Sequence, residues 1–287
     1  MRGPRHATRA TPPLLALLLA LSALPGCVGA PPAEPTQARS PAGPVVLVHG
    51  IFPDSVSWWI DEVQAELHRR GVQTLPVGYE SFVFGYLTGL GTDGPADRIA
   101  ALEQGLRLRH ARAACRARLQ LAGVGFSAGT AVLEKAAERG VRFQRLYFAG
   151  SPLPLWSGAL EEQLREDRVG VLVNYYSPLD GVVNGLLGMG AFGFRGAGPA
   201  AARVENRLHW RPHWLPLWDD EDEVHAVCAE LVRAAGEGPP HTCFEDPAFA
   251  AWFREAKARL RAGEPPPGAE WRAPRVVVRR GAAEGRQ

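Results

Sequence analysis

The sequence predicts an α/β protein, a mostly parallel sheet with helices on both faces. Three observations predict it. Runs short enough for strands and rich in apolar, β-branched or aromatic residues occur at 44–52, 143–152 and 169–180, with a related run at 119–126. Segments with apolar residues at helical spacing lie between them. The alternation is sustained, with no internal repeat and no second-domain boundary between 44 and 262.

The elements follow in order. Residues 1–26 read as an export signal. Arg2, Arg5 and Arg9 precede an apolar stretch at 14–21 that is short for a membrane-spanning helix and suits a signal peptide. Leu24-Pro25-Gly26-Cys27 resembles a bacterial lipoprotein box, which implies acylation of Cys27 and a lipid anchor in the cell envelope; ordinary secretion is the alternative. Residues 27–43, rich in Pro and Ala, form a tether. The run at 44–52 is a strand buried on both faces. Trp59, Val63 and Leu67 mark a helix that Gly71 ends. Residues 73–79 form a strand that Pro76 confines to an edge. Residues 82–94, aromatic and glycine-rich, form a loop or partial lid. Pro95 opens a long helix with Ile99, Leu102 and Leu106 inward. Its end carries Arg107, Arg109, Arg112, Arg116 and Arg118 as a solvated basic face.

The second half repeats the alternation. The run at 119–126 leads into a helix from Thr130. The strand in 143–152, which ends in a turn, is followed by a helix near 159–164, and the strand in 169–180 delivers Asp180 just past its C-terminal end. A glycine-rich loop spans 185–198, and the last strand lies within 204–210. Val224, Val227 and Leu231 mark one helix; Phe249, Trp252, Phe253, Ala256 and Leu260 mark the final one. From 263 to 287 the chain reads as a disordered tail.

Composition narrows the function classes. The chain has 287 residues, 46% hydrophobic and 22% charged, which suits a packed core. Its net charge of +2 falls to −1 without the three arginines of the first 26 residues, so nothing points to nucleic acid. Export implies an oxidising compartment, where Cys228 and Cys243 are spaced to form a disulfide. Closing that loop of about 15 residues is worth roughly 3 kcal/mol in the chain-entropy model. No Cys/His spacing suggests a metal site, and no cofactor is expected.

The chemistry centres on Gly125-Phe126-Ser127-Ala128-Gly129. A serine between an apolar strand and a helix sits on a sharp turn, and the glycines let strand and helix approach. Ser127 is the candidate nucleophile. A serine hydroxyl needs a histidine to take its proton, and that histidine needs a carboxylate to hold it. Asp180 is the candidate carboxylate. His213 is the candidate base, with His209, His225 and His241 as alternatives. Backbone donors for an oxyanion are Ala128 N–H and that of Ile51 or Phe52. His49 shapes the turn after the first strand.

Val46-Leu47-Val48-His49-Gly50, Gly-Phe-Ser-Ala-Gly and Asp180-Gly181, with the serine preceding the aspartate and then the histidines, resemble the α/β-hydrolase superfamily over roughly 44–260. The resemblance implies an α/β-hydrolase fold with a reduced core that lacks the usual antiparallel first strands. It also implies a lipase- or esterase-like serine hydrolase acting on a small-molecule or lipid ester. The competing expectation is an inactive envelope protein that keeps the scaffold for binding or assembly.

Overall fold

A computed structural model of the chain describes residues 44–50, 58–79, 90–109, 121–152, 157–177, 194, 198–208, 228–230 and 246–269. In these residues the apolar runs become strands β1 (Val45–Val48), β2 (Thr74–Val77), β3 (Leu121–Phe126), β4 (Phe143–Ala149), β5 (Val169–Tyr176) and β6 (Val204–Leu208). They form one six-stranded sheet in the order β2-β1-β3-β4-β5-β6, with every neighbouring pair parallel. No antiparallel strand occurs among the described residues. The edge position expected of the strand containing Pro76 is the one β2 takes. The edge is tied down at its end, where Gly78 N–H donates to Leu260 O at 2.9 Å and Arg98 donates to Gly78 O at 3.0 Å.

From β1 to β5 the sheet is largely buried on both faces, which is why those strands read as mostly apolar runs, whereas β6 at the far edge is largely exposed and carries Glu205, Asn206 and Arg207. Val46, Val48, Phe143, Leu146, Phe148 and Leu172 pack on one side against helices α2 (Leu90–Arg109), α3 (Ala128–Glu138), α4 (Gly158–Arg165) and α5 (Pro247–Arg261). Val45, Leu47, Val124, Tyr147, Val173 and Tyr175 pack on the other with Val63 and Leu67 of α1 (Trp58–Arg69) and with Cys228. Each fully buried Val or Leu stabilises the fold by about 1.5–3 kcal/mol relative to exposure. The α4 and α5 starts are capped by side chains. Ser157 Oγ accepts from Leu160 N–H at 3.3 Å; Asp246 accepts from Ala248 and Phe249 N–H at 2.9 and 3.2 Å.

Three expectations change. The long helix begins at Leu90, five residues before Pro95, so the end of the expected loop at 82–94 is helical. Tertiary contacts hold this extra turn although Pro95 supplies no N–H. Thr92 is buried, Asp93 pairs with Lys135 at 3.1 Å and Arg139 at 2.6 Å, and Asp97 pairs with Arg139. The basic end of that helix is solvated as expected, with Arg107 and Arg109 exposed, while Arg112, Arg116 and Arg118 lie outside the described residues. Arg107 pairs with Glu103, and the Arg109 guanidinium lies 5.4 Å from the Trp252 ring centre. Cys228 is a free thiol rather than half of the expected bridge. It is wholly buried beside Val63, with Sγ 3.8 Å from Val63 O, and burial, reinforced by Glu66, pushes its pKa up to about 12. Cys243 lies outside the described residues, as do residues 1–43. At the start of the stretch expected as a tail, Pro267 O accepts from Trp252 Nε1 at 3.1 Å and from Arg109 at 3.4 Å. No helix of the described residues is long and apolar enough to cross a membrane.

One buried carboxyl carries a pH dependence. Glu134, on α3, is 8% exposed and accepts from Ser157 Oγ. Burial raises its pKa above the ordinary 4.5, against the opposing pull of the Ser157 hydroxyl. A raised folded-state value means that the neutral form suits the fold. That stability is fully present below pH 4.5 and is lost as the pH rises through the folded-state value. Glu134→Gln keeps an oxygen for Ser157 and cannot ionise. Urea denaturation should show its stability relative to wild type increasing from pH 4 to pH 8; a constant difference would exclude a raised Glu134 pKa.

Candidate active site

The strand order creates a switch point. From β1 the chain crosses to β2 on one side, then returns to place β3 on the other side of β1. In an open parallel sheet the crevice beyond the carboxyl ends of two such strands is where ligands bind. Two turns meet there, His49-Gly50 after β1 and Ser127 after β3.

Ser127 has φ 49° and ψ −120°, a backbone conformation that non-glycine residues rarely adopt. It is the N-cap of α3, yet its side chain makes no capping hydrogen bond. Its N–H donates to Ala149 O at 2.8 Å, and its carbonyl accepts Thr130 N–H at 3.0 Å. The turn is gripped from both sides while the side chain is not consumed by the cap. Ala128, which follows, is 1% exposed at the helix start, where N–H groups have no partner within the helix.

The glycines are required by space. A Cβ on Gly129 would lie 2.3 Å from Val48 O and 2.5 Å from His49 O. One on Gly125 would lie 2.9 Å from Thr130 N. The start of α3 thus rests on the carboxyl end of β1 without an intervening side chain. A Cβ on Gly50 would lie 3.3 Å from Ser127 Cβ, so the β1 turn and the serine are immediate neighbours.

His49 is buried and serves its turn. Its Nδ1 donates to Gly50 O at 2.7 Å, which places a proton on that nitrogen. Its ring stacks on Tyr79 with centres 4.3 Å apart, and Tyr79 Oη donates to His49 O at 2.8 Å. The sequence reading missed Tyr79, thirty residues away, along with Thr130 and Ser151, whose hydroxyl oxygens are 3.0 Å apart beside the serine turn. No local sequence signal marks Tyr79 or Ser151, because each reaches the site from the end of another strand, whereas Thr130 lies on the first turn of α3.

Of the residues expected at the site, the structure brings Ser127 and Ala128 together with the turn at Gly50. Ile51, Phe52, Asp180, His213, His209, His225 and His241 lie outside the described residues. β5 and β6 run parallel to β3, so the chain leaves both at the sheet edge where Ser127 stands. Among the described residues no group of three His, Cys, Asp or Glu side chains is placed to hold a metal ion.

No family model matches the chain, and no curated protein matches its sequence. Solved structures do match. The chain is similar to the esterase domain of a Rhodothermus marinus protein, at 14% identity over 71% of this chain and 90% of that one, with a TM-score of 0.44. It is similar to acyl-protein thioesterase 2 of Zea mays, at 14% identity over 71% and 97%, with a TM-score of 0.42. A cutinase of Trichoderma reesei, in complex with a phosphonate inhibitor, matches at 18% identity over 69% and 80%, with a TM-score of 0.37. The fold class is established by the sheet itself: a parallel α/β sheet with helices on both faces.

The strain at Ser127 is measurable. A backbone of this kind costs on the order of 1–3 kcal/mol in a residue with a side chain, and glycine avoids most of it. Ser127→Gly and Ser127→Ala both remove the hydroxyl but differ in this cost. In urea denaturation Ser127→Gly should be the more stable by about 1 kcal/mol, after the larger unfolded-state entropy of glycine is offset. Equal stability would show that the turn is unstrained.

Proposed function

We propose that the protein is a serine hydrolase of the α/β-hydrolase kind that cleaves a carboxylic ester. The observation that carries this reading is Ser127, held at φ 49° at a strand-to-helix turn on the switch point of the sheet, with its hydroxyl unused by the helix cap. A residue forced into a rare conformation persists when the surrounding packing demands it, and in this reading the packing serves to offer the hydroxyl to a ligand beyond the carboxyl ends of the strands.

In the proposed mechanism Ser127 Oγ attacks the ester carbonyl carbon, and His213 takes its proton. Asp180 holds the imidazole and stabilises its cation. The negative charge that develops on the carbonyl oxygen is met by Ala128 N–H and by the N–H of Ile51 or Phe52. Collapse of the tetrahedral intermediate breaks the bond to the alcohol, which leaves with the proton from His213. Water, deprotonated by the same histidine, then attacks the acyl-enzyme and releases the acid and the free serine. β3 and β5 lie two strand spacings apart, about 10 Å. That separation leaves room for an imidazole between Ser127 and a carboxylate supplied beyond β5. Acylation of Cys27 would hold this activity at the cell envelope and favours lipid-like esters as substrates.

A fluorophosphonate added to the folded mature protein should form an adduct on Ser127, located by peptide mass spectrometry. Ser127→Ala should abolish it, and His213→Ala should lower ester hydrolysis by at least about 10³-fold. Absence of an adduct on folded wild-type protein would overturn the hydrolase reading in favour of a non-catalytic scaffold. The anchor has its own test. Expressed with its full leader in a bacterium, the wild-type chain should sediment with membranes and release a diacylglyceryl-modified N-terminal peptide, whereas Cys27→Ser should be soluble. Equal fractionation of the two would exclude a lipid on Cys27.

A further inference from the structure

The Ser127–Ala128 peptide carries two groups with different tasks. The peptide unit is planar and trans, so the Ser127 carbonyl and the Ala128 N–H point in opposite directions. Whatever holds the carbonyl also aims the N–H.

The Ser127 carbonyl is held twice by one residue. It accepts Thr130 N–H at 3.0 Å and Thr130 Oγ1 at 2.7 Å. Thr130 is wholly buried, and its Oγ1 lies 3.0 Å from Ser151 Oγ. The proton directions follow from chemistry. A carbonyl oxygen only accepts, so the single hydroxyl proton of Thr130 goes to Ser127 O. Ser151 must then donate to Thr130 Oγ1. The result is a directed chain from Ser151, just past β4, through Thr130 on α3, to the carbonyl of the strained residue after β3. A threonine that bonds back to the preceding turn is common in helices. Here its acceptor is the carbonyl of the N-cap residue itself, and a second hydroxyl from another strand end fixes its rotamer.

We propose that Thr130, supported by Ser151, is a positioning residue for ester cleavage: it holds the Ser127–Ala128 peptide plane so that Ala128 N–H faces the developing oxyanion. This rests on the reading of Ser127 as nucleophile and Ala128 as oxyanion donor. Thr130 touches no reacting atom. It acts through the orientation of a peptide whose free N–H is useful only over a narrow range of angles.

The experiment compares wild type, Thr130→Val, Thr130→Ser and Ser151→Ala in the full mature chain. The rate of p-nitrophenyl butyrate cleavage is normalised to sites titrated with a fluorophosphonate. Valine keeps the branched shape and loses the hydroxyl; serine keeps the hydroxyl and loses a methyl. Thr130→Val should lower kcat per titrated site tenfold or more, with KM within twofold and the pH–rate midpoint unchanged. Thr130→Ser should stay within threefold of wild type. Ser151→Ala should fall about threefold. A merely structural role would reduce the number of titrated sites and leave kcat per site unaltered, and that result overturns the proposal. So does an equal loss in Thr130→Ser and Thr130→Val. If Thr130→Val does not fold, Ser151→Ala decides: an unchanged kcat per site overturns the proposal and a fall of about threefold supports it. Wild type that neither labels nor cleaves ester removes the hydrolase reading, and this inference with it. Wild type that labels at Ser127, beside a kinetically normal Thr130→Val, removes this inference alone.

Discussion

The start of α3 rests directly on the last carbonyls of β1, and the candidate site depends on that contact. At Gly129 a single methyl group would fall 2.3 Å from Val48 O, and at Gly125 it would fall 2.9 Å from Thr130 N. With both positions bare, the helix comes close enough to bring Ser127 beside the β1 turn at Gly50. The same approach compresses the connection between β3 and α3 to one residue, which forces Ser127 to φ 49°. Strain at the serine is therefore the consequence of close packing, and it is sustained by the bonds that grip the residue on both sides.

Those bonds are distributed so that the side chain of Ser127 is spared. The neighbouring strand takes its N–H through Ala149 O, and the helix takes its carbonyl through Thr130. Across the crevice His49 is occupied with its own turn and is braced by Tyr79 from the adjacent strand end. Backbone groups and aromatic packing thus build a rigid edge around one hydroxyl. Away from the site, polar groups follow a similar economy. Glu230 is buried at 7% exposure and is paired with Arg207 and Arg145, while Arg207 also covers the Tyr175 ring, joining β4, β5 and β6 to the segment at 228–230.

Much of the fold was legible because burial on both faces leaves a plain mark. The runs 143–152 and 169–180 contain β4 and β5, whose starts they mark, and Pro76 marked an edge strand because it cannot donate to a ladder. The start of α2 was not legible. Pro95 reads as a helix opening, but the turn before it is held by Asp93 reaching Lys135 and Arg139, more than forty residues later. Spacing between Cys228 and Cys243 suggested a bridge, yet spacing says nothing of depth, and Cys228 sits inside the core as a free thiol. Asp180, His213, Ile51 and Phe52 lie outside the described residues.

The sequence by itself determined the class of the fold, the place of the strand–serine–helix turn and the need for glycine around it. These follow from local rules: apolar periodicity, side-chain volume and backbone sterics act between residues close in the chain. Tertiary structure decided the order of the strands, and so the switch point between β1 and β3 that makes the turn at Ser127 a candidate site. It also decided which distant groups support that turn, namely Tyr79 behind His49 and Ser151 behind Thr130. A crossover can place the next strand on either side of its predecessor without changing any local pattern. Hydrogen bonds between residues twenty or thirty positions apart exist only once that choice has been made.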